Sequence, residues 1–176
     1  MIALTGTPGT GKTTVAAELN RLGYVTVSVD GLIEELGIRR SRRTEGEAIE
    51  VDTADLREKA LKHWKGFEGG TVVVTGHLSH FAGATGSVVL RCHPQVLEKR
   101  LSRRGWDREK ILENVRAEVM DVVLIEAVES TGWVQEIDNT HLEPSGTAAV
   151  VSGIIKGEKN NYPVKSRWAG ELEKWF

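Results

Sequence analysis

Gly6 to Thr13 reads GTPGTGKT, and this octet decides how the rest of the chain is read. It matches glycine, any four residues, then Gly-Lys-Thr, at every position. Upstream, the apolar run Ile2–Thr5 predicts a buried strand. Downstream, Lys12 to Leu22 predicts a helix that Gly23 stops. A chance glycine-rich turn would lack these flanks. In a phosphate-binding loop the glycines turn backbone N–H groups towards phosphate oxygens, at a helix N-terminus that already favours anions. Lys12 then reaches the β- and γ-phosphates of a nucleoside triphosphate, the Thr13 hydroxyl ligates Mg2+, and Thr14 touches the α-phosphate.

Outward from the octet, short apolar runs alternate with longer amphipathic ones. Strands are expected near 24–29, 71–75, 87–92 and 133–137. Helices are expected near 31–36, 53–65, 94–104 and 147–155. Asp107 is placed to cap one long helix carrying Ile111, Val115, Val119 and Val122. Strands that alternate with helices imply a three-layer α/β fold with a five-stranded parallel sheet. With 40% apolar and 27% charged residues, the 176-residue chain reads as one globular domain. A net charge of −2 argues against wholesale nucleic-acid or membrane binding, and the single Cys92 excludes an internal disulfide. No run approaches the roughly 18 apolar residues of a membrane span. The opening MIALTGTPG lacks a basic leader, so a cytoplasmic protein is expected.

Two segments concentrate arginine. Arg39, Arg40, Arg42 and Arg43 fall within five residues of the stretch 38–51. Their planar forks suit the phosphate of an acceptor nucleotide, but a solvated basic loop or contact with RNA phosphates fits the same pattern. The second segment, RLSRRGWDR at 100–108, surrounds the break at Gly105. It reads either as a closing lid whose cations offset charge on a transferring phosphoryl group, or as an exposed helix corner. Trp106 either stacks on a base or pins that corner.

The strand TVVVT at 71–75 runs into Gly76 and His77, with no acid at its end. Ligands of open α/β sheets bind at such strand ends. His77 is thus either a residue that positions water or phosphate, or a structural histidine. Asp30, at the end of the second strand, either orients magnesium or the acceptor, or caps the next helix.

The loop, VVVTGH and RRGWDREKILENVRAEV together resemble the small adenylate kinases of the coilin-interacting nuclear ATPase type, with archaeal and eukaryotic members. The likeness runs from Met1 to about Ile155. It implies a P-loop NTPase fold like that of nucleoside monophosphate kinases, with 28–51 as the monophosphate-binding segment and 103–113 as the lid; residues 157–176, beyond the likeness, read as a C-terminal tail. It also implies ATP contacts from Gly9, Gly11, Lys12, Thr13, Thr14 and Arg104, and AMP contacts around Ser28, Asp30, Arg39, Arg40, Arg42 and Arg43. The family's strand-end motif is Asp, any residue, His; here Thr75 replaces the acid and only His77 matches. Near Pro144–Ser145, where the family offers a basic residue, this chain has Thr147.

The expected activity is MgATP + AMP = 2 ADP, with Lys12, His77 and Arg104 at the chemistry and Mg2+ carried with ATP. The resemblance also implies ATPase activity and a role in small ribosomal subunit maturation. The alternative is an ATPase assembly factor acting on ribosomal protein uS11 and the pre-ribosomal small subunit, with little kinase activity. Phosphorylation of another small acceptor is a third reading.

Overall fold

The computed structural model describes residues 1–41, 50–158 and 168–176. Its main sheet contains β1 (Ile2–Thr5), β2 (Val25–Ser28), β5 (Val72–Thr75), β6 (Gly86–Arg91) and β7 (Val134–Asp138). The order is β2-β5-β1-β6-β7 and all pairs are parallel. β1 and β6 are buried along their whole length, whereas the edge strands β2 and β7 are partly open. That contrast explains the unbroken apolar runs of the inner strands, which are covered on both faces.

Helices α1 (Lys12–Arg21) and α7 (Pro144–Ile155) cover one face, through Val15, Leu19, Ala148 and Val151. The other face carries α2 (Val29–Glu35) and α3 (Thr53–His63), through Leu32, Ile33, Leu56 and Ala60. A third apolar cluster joins α4 (Pro94–Ser102) and α5 (Arg108–Val119) to Trp175 of the terminal helix α8 (Leu172–Trp175). Trp175 is buried and its carbonyl accepts from Arg116 Nε at 2.7 Å, so the described end of the tail is docked on α5. A two-stranded antiparallel ribbon, β3 (Arg40–Ser41) with β4 (Glu50–Val51), stands apart from the main sheet. Arg42 and Arg43 lie outside the described residues.

One sequence expectation needs correction, and one open choice is decided. The single long helix after Asp107 is two: Asp121 has φ 58, a left-handed conformation that Asp tolerates better than most residues, so Val122 starts α6 (Val122–Ser130). Asp30 does not cap α2, because Ser28 Oγ does so by accepting from Gly31 N at 3.0 Å. Asp107 caps α5 as expected, its Oδ1 accepting from Lys110 N at 2.9 Å. Among the described residues, no helix is long and apolar enough to cross a membrane.

Candidate nucleotide site

The loop between β1 and α1 is held in shape by its own atoms. Thr10 Oγ1 donates to Thr7 O at 2.9 Å, and Asn139 Nδ2, at the end of β7, donates to Thr10 O at 2.7 Å. Gly11 makes this approach possible: with φ 105, a Cβ there would stand 2.5 Å from Asn139 Nδ2. Lys12 folds inward and donates from Nζ to Gly6 O at 2.6 Å and Thr7 O at 3.0 Å. Burial lowers its pKa to about 7, with the Glu118 carboxylate opposing the shift and the Arg104 cation adding to it. A lysine so reluctant to stay charged gains directly from an incoming phosphate anion.

Two clefts adjoin the loop and share Gly9, Gly11 and Arg104. The smaller, about 220 Å³, is lined by Lys12, Thr13, Asp30, Gly76 and His77. The larger, about 330 Å³, lies between Thr14, Arg100, Arg103, Asn139, Leu142 and Pro144. The structure therefore brings Gly9, Gly11, Lys12, Thr13, Thr14, Asp30, His77 and Arg104 around one trough. Ser28, Arg39 and Arg40 are not among the residues that line either cleft. Arg40 instead lies 3.7 Å from Glu34 and 3.9 Å from Asp30.

At the corner between α4 and α5 the arginines divide their work. Arg100 donates to the carbonyls of Asn139 and Thr140, at 3.1 and 2.9 Å, and so holds the loop after β7. Arg103 and Arg104 stand exposed at the mouth. Trp106 packs on the α4–α5 cluster with Lys110 Nζ 4.3 Å from its ring, which makes it the pin of the corner. Thr147 is buried and donates to Asn139 Oδ1 at 2.6 Å, so it supports the loop from behind.

His77 is open to the cleft, yet its pKa is lowered, chiefly by desolvation and then by Lys12, with Asp30 opposing. Its neutral form is thereby favoured over the imidazolium. His80 is different: fully buried, it pairs through Nδ1 with Thr5 Oγ1 at 2.9 Å, and burial lowers its pKa to about 4. It is a structural post beneath the strand end.

Sequence reasoning missed what stands behind the loop. Thr7 Oγ1 donates at 2.5 Å to Glu118 of α5, whose side chain is 2% exposed. The other Glu118 oxygen accepts from Arg91 Nε at 2.8 Å, Cys92 N at 3.0 Å and Trp168 Nε1 at 3.4 Å. Arg91, also buried, donates further to Asp121 and to Glu136. The signals existed: Glu118 falls on the apolar face of α5 with Ile111 and Val115, and Arg91 ends an otherwise uncharged strand. A charge on a buried face demands a partner. Asn139, too, stands just past the C-terminal end of a strand, where the sheet rule points.

The chain is similar to known proteins. A family profile described as "AAA domain" matches residues 2–121. A protein of Archaeoglobus fulgidus named "Putative adenylate kinase" is 41% identical over 177 residues, covering 98% of this chain and 94% of its own. One of Thermococcus gammatolerans with the same name is 43% identical over 166 residues, covering 93% of this chain and 90% of its own. Among solved structures, a shikimate kinase from Acinetobacter baumannii in complex with shikimate superposes with a TM-score of 0.54 at 18% identity, over 90% of this chain and 93% of that one. That last likeness concerns the fold alone.

Proposed function

The chain belongs to the AAA-domain family matched over residues 2–121 and is a relative of the archaeal proteins named "Putative adenylate kinase"; from that premise we propose that it is an adenylate kinase, MgATP + AMP = 2 ADP. The observation that carries the reading is the trough itself. Its two clefts share the phosphate loop and Arg104, so a nucleotide whose base end lies by Leu142 and Pro144 extends its phosphates past Arg104 to Lys12, Thr13 and His77.

In the proposed reaction an AMP phosphate oxygen attacks the γ-phosphorus of ATP. The bond from that phosphorus to the β–γ bridging oxygen breaks, leaving two ADP. The acceptor is already anionic, so no side chain need remove a proton, and catalysis is positioning and charge stabilisation. Lys12 supplies a buried cation at the β- and γ-phosphates, and Arg104 closes from the lid side. Arg39 and Arg40, with Arg42 and Arg43 beyond the described residues, are assigned to the AMP phosphate, near Ser28 and Asp30. The cleft offers hard oxygen donors, the Thr13 hydroxyl and the Asp30 carboxylate, which is the donor chemistry of magnesium. When bound, that ion neutralises charge on the β- and γ-phosphates.

One observation favours a second activity at the same site. A neutral His77 facing the cleft is able to hold a water, which fits slow ATP hydrolysis alongside transfer. A role with ribosomal protein uS11 and the pre-ribosomal small subunit rests on the family resemblance, and co-purification with tagged uS11 tests it. The kinase reading is tested by ADP production from MgATP with and without each nucleoside monophosphate, in wild type and His77→Ala. AMP-dependent turnover yielding two ADP per ATP supports the kinase. Equal turnover without AMP, lost in His77→Ala, makes hydrolysis the main activity instead.

A further inference from the structure

We propose that Asp30 is the carboxylate that holds the hydrated magnesium ion of the bound nucleotide, doing from the start of α2 what the strand-end residue Thr75 has no charge to do. The inference rests on the nucleotide-site reading above and names the residue on which its metal depends.

Position comes first. Asp30 lines the same small cleft as Thr13, Lys12 and His77, and among the described residues it is the one carboxylate that does. Its place is set by the packing of α2 on the sheet. Ser28 pairs with Thr75 in the β2–β5 register, and Val29 is completely buried against the end of β5. Gly76, with φ 145, has no room for a Cβ because Val29 occupies that space. The residue before Asp30 is thereby pressed against the residue before His77, which sets the carboxylate across the cleft from the histidine.

Availability comes second. The cap of α2 is supplied by Ser28, so the Asp30 carboxylate is not spent on the helix. Among the described residues it accepts no hydrogen bond, its one ion pair is with Arg40 at a long 3.9 Å, and its side chain is 67% exposed. Three other carboxylates are engaged elsewhere. Glu118 sits behind the loop on Thr7, Arg91 and Cys92 N. Asp52 caps α3, accepting from Asp55 N at 3.0 Å. Asp138 accepts from both the backbone and the hydroxyl of Thr140.

Chemistry comes third. Magnesium on a nucleotide keeps most of its waters and takes one or two hard oxygens from the protein. Thr13 offers a neutral one. The other charged side chains of the cleft, Lys12 and Arg104, are cations, so a carboxylate is the one negative charge the protein adds there to the phosphates' own hold on the ion. Asp30 supplies that charge.

The test uses the full chain with the non-hydrolysable ATP analogue AMP-PNP. Mn2+ binding to the protein–AMP-PNP complex is followed by electron paramagnetic resonance, and AMP-PNP binding without metal is followed by calorimetry in EDTA. Asp30→Asn is expected to weaken Mn2+ binding about 10-fold or more and to leave the metal-free affinity within about twofold of wild type. Equal Mn2+ affinity in the two proteins overturns the assignment while leaving the nucleotide site intact. An equal loss of metal-free AMP-PNP affinity also overturns it, because Asp30 would then serve the nucleotide and not the ion. Failure of the wild type to bind AMP-PNP at all would remove the nucleotide site itself, and this inference with it.

Discussion

On its cleft side the phosphate loop meets Arg103, Arg104, Asp30 and His77, all exposed. On its back, Thr7 donates to a Glu118 that water hardly touches, and that carboxylate is clamped by Arg91 and the Cys92 amide. Both sides are polar and charged. In front, the charges are left open to meet a ligand. Behind, every charge is matched by another, and removal of one strands the rest in a dry interior. The same loop is thus a binding surface on one side and a buried anchor on the other. Substitutions should separate the two: the front alters turnover with little change in stability, the back alters stability first.

The largest effect is expected behind the loop. Glu118→Leu should lower the free energy of unfolding by about 3–5 kcal/mol, because it leaves Arg91 and Thr7 short of their acceptor. Urea unfolding measures this, and a change below about 1 kcal/mol would break the contrast. Next comes Lys12→Ala, expected to cut phosphoryl transfer by about 100- to 1,000-fold while leaving the protein at least as stable near pH 7. The sign follows from its pKa, lowered from 10.5 to about 7 in the folded chain. Between those values the unfolded chain binds more protons, so this lysine makes stability rise with pH, and the alanine variant should lose that rise.

A smaller effect belongs to His80, whose folded pKa is lowered from 6.5 to about 4. The unfolded chain takes up a proton first as pH falls, so stability should drop between about pH 6.5 and pH 4, by roughly 2–3 kcal/mol from this group. Unfolding curves across that range should be flatter for His80→Gln; equal slopes would count against a buried neutral histidine. Least of all, Arg40→Ala should change stability by no more than about 0.5 kcal/mol, since it donates to the Asp30 carbonyl at a long 3.4 Å and the Asp30 and Glu34 carboxylates stand at 3.7–3.9 Å on an open surface. Any larger loss would show that the open rim beside Asp30 also carries structure.

The front was legible in the sequence because its chemistry is written locally. GTPGTGKT carries its phosphate-binding chemistry within eight consecutive residues, and the strand and helix beside it are read from simple periodicity. Arg103 and Arg104 announce themselves around Gly105. The back was not legible in the same way, because Thr7 and Glu118 are 111 residues apart and only the packing of α5 against the loop brings them together. The break at Asp121 was hidden for a related reason. The helical spacing of Val119 and Val122 continues across it, and the left-handed turn pays off in a partner for Arg91, which no local pattern records. Asp30 was half legible: its place at a strand end was clear, but the choice between capping and the cleft depended on Ser28 taking the cap.

The most direct test of the central claim follows the transferred group. With ATP labelled at the γ-phosphate and unlabelled AMP, the account predicts label in the ADP formed from AMP, at one labelled ADP for each ATP consumed. Label appearing as inorganic phosphate at the same rate whether or not AMP is present would contradict it.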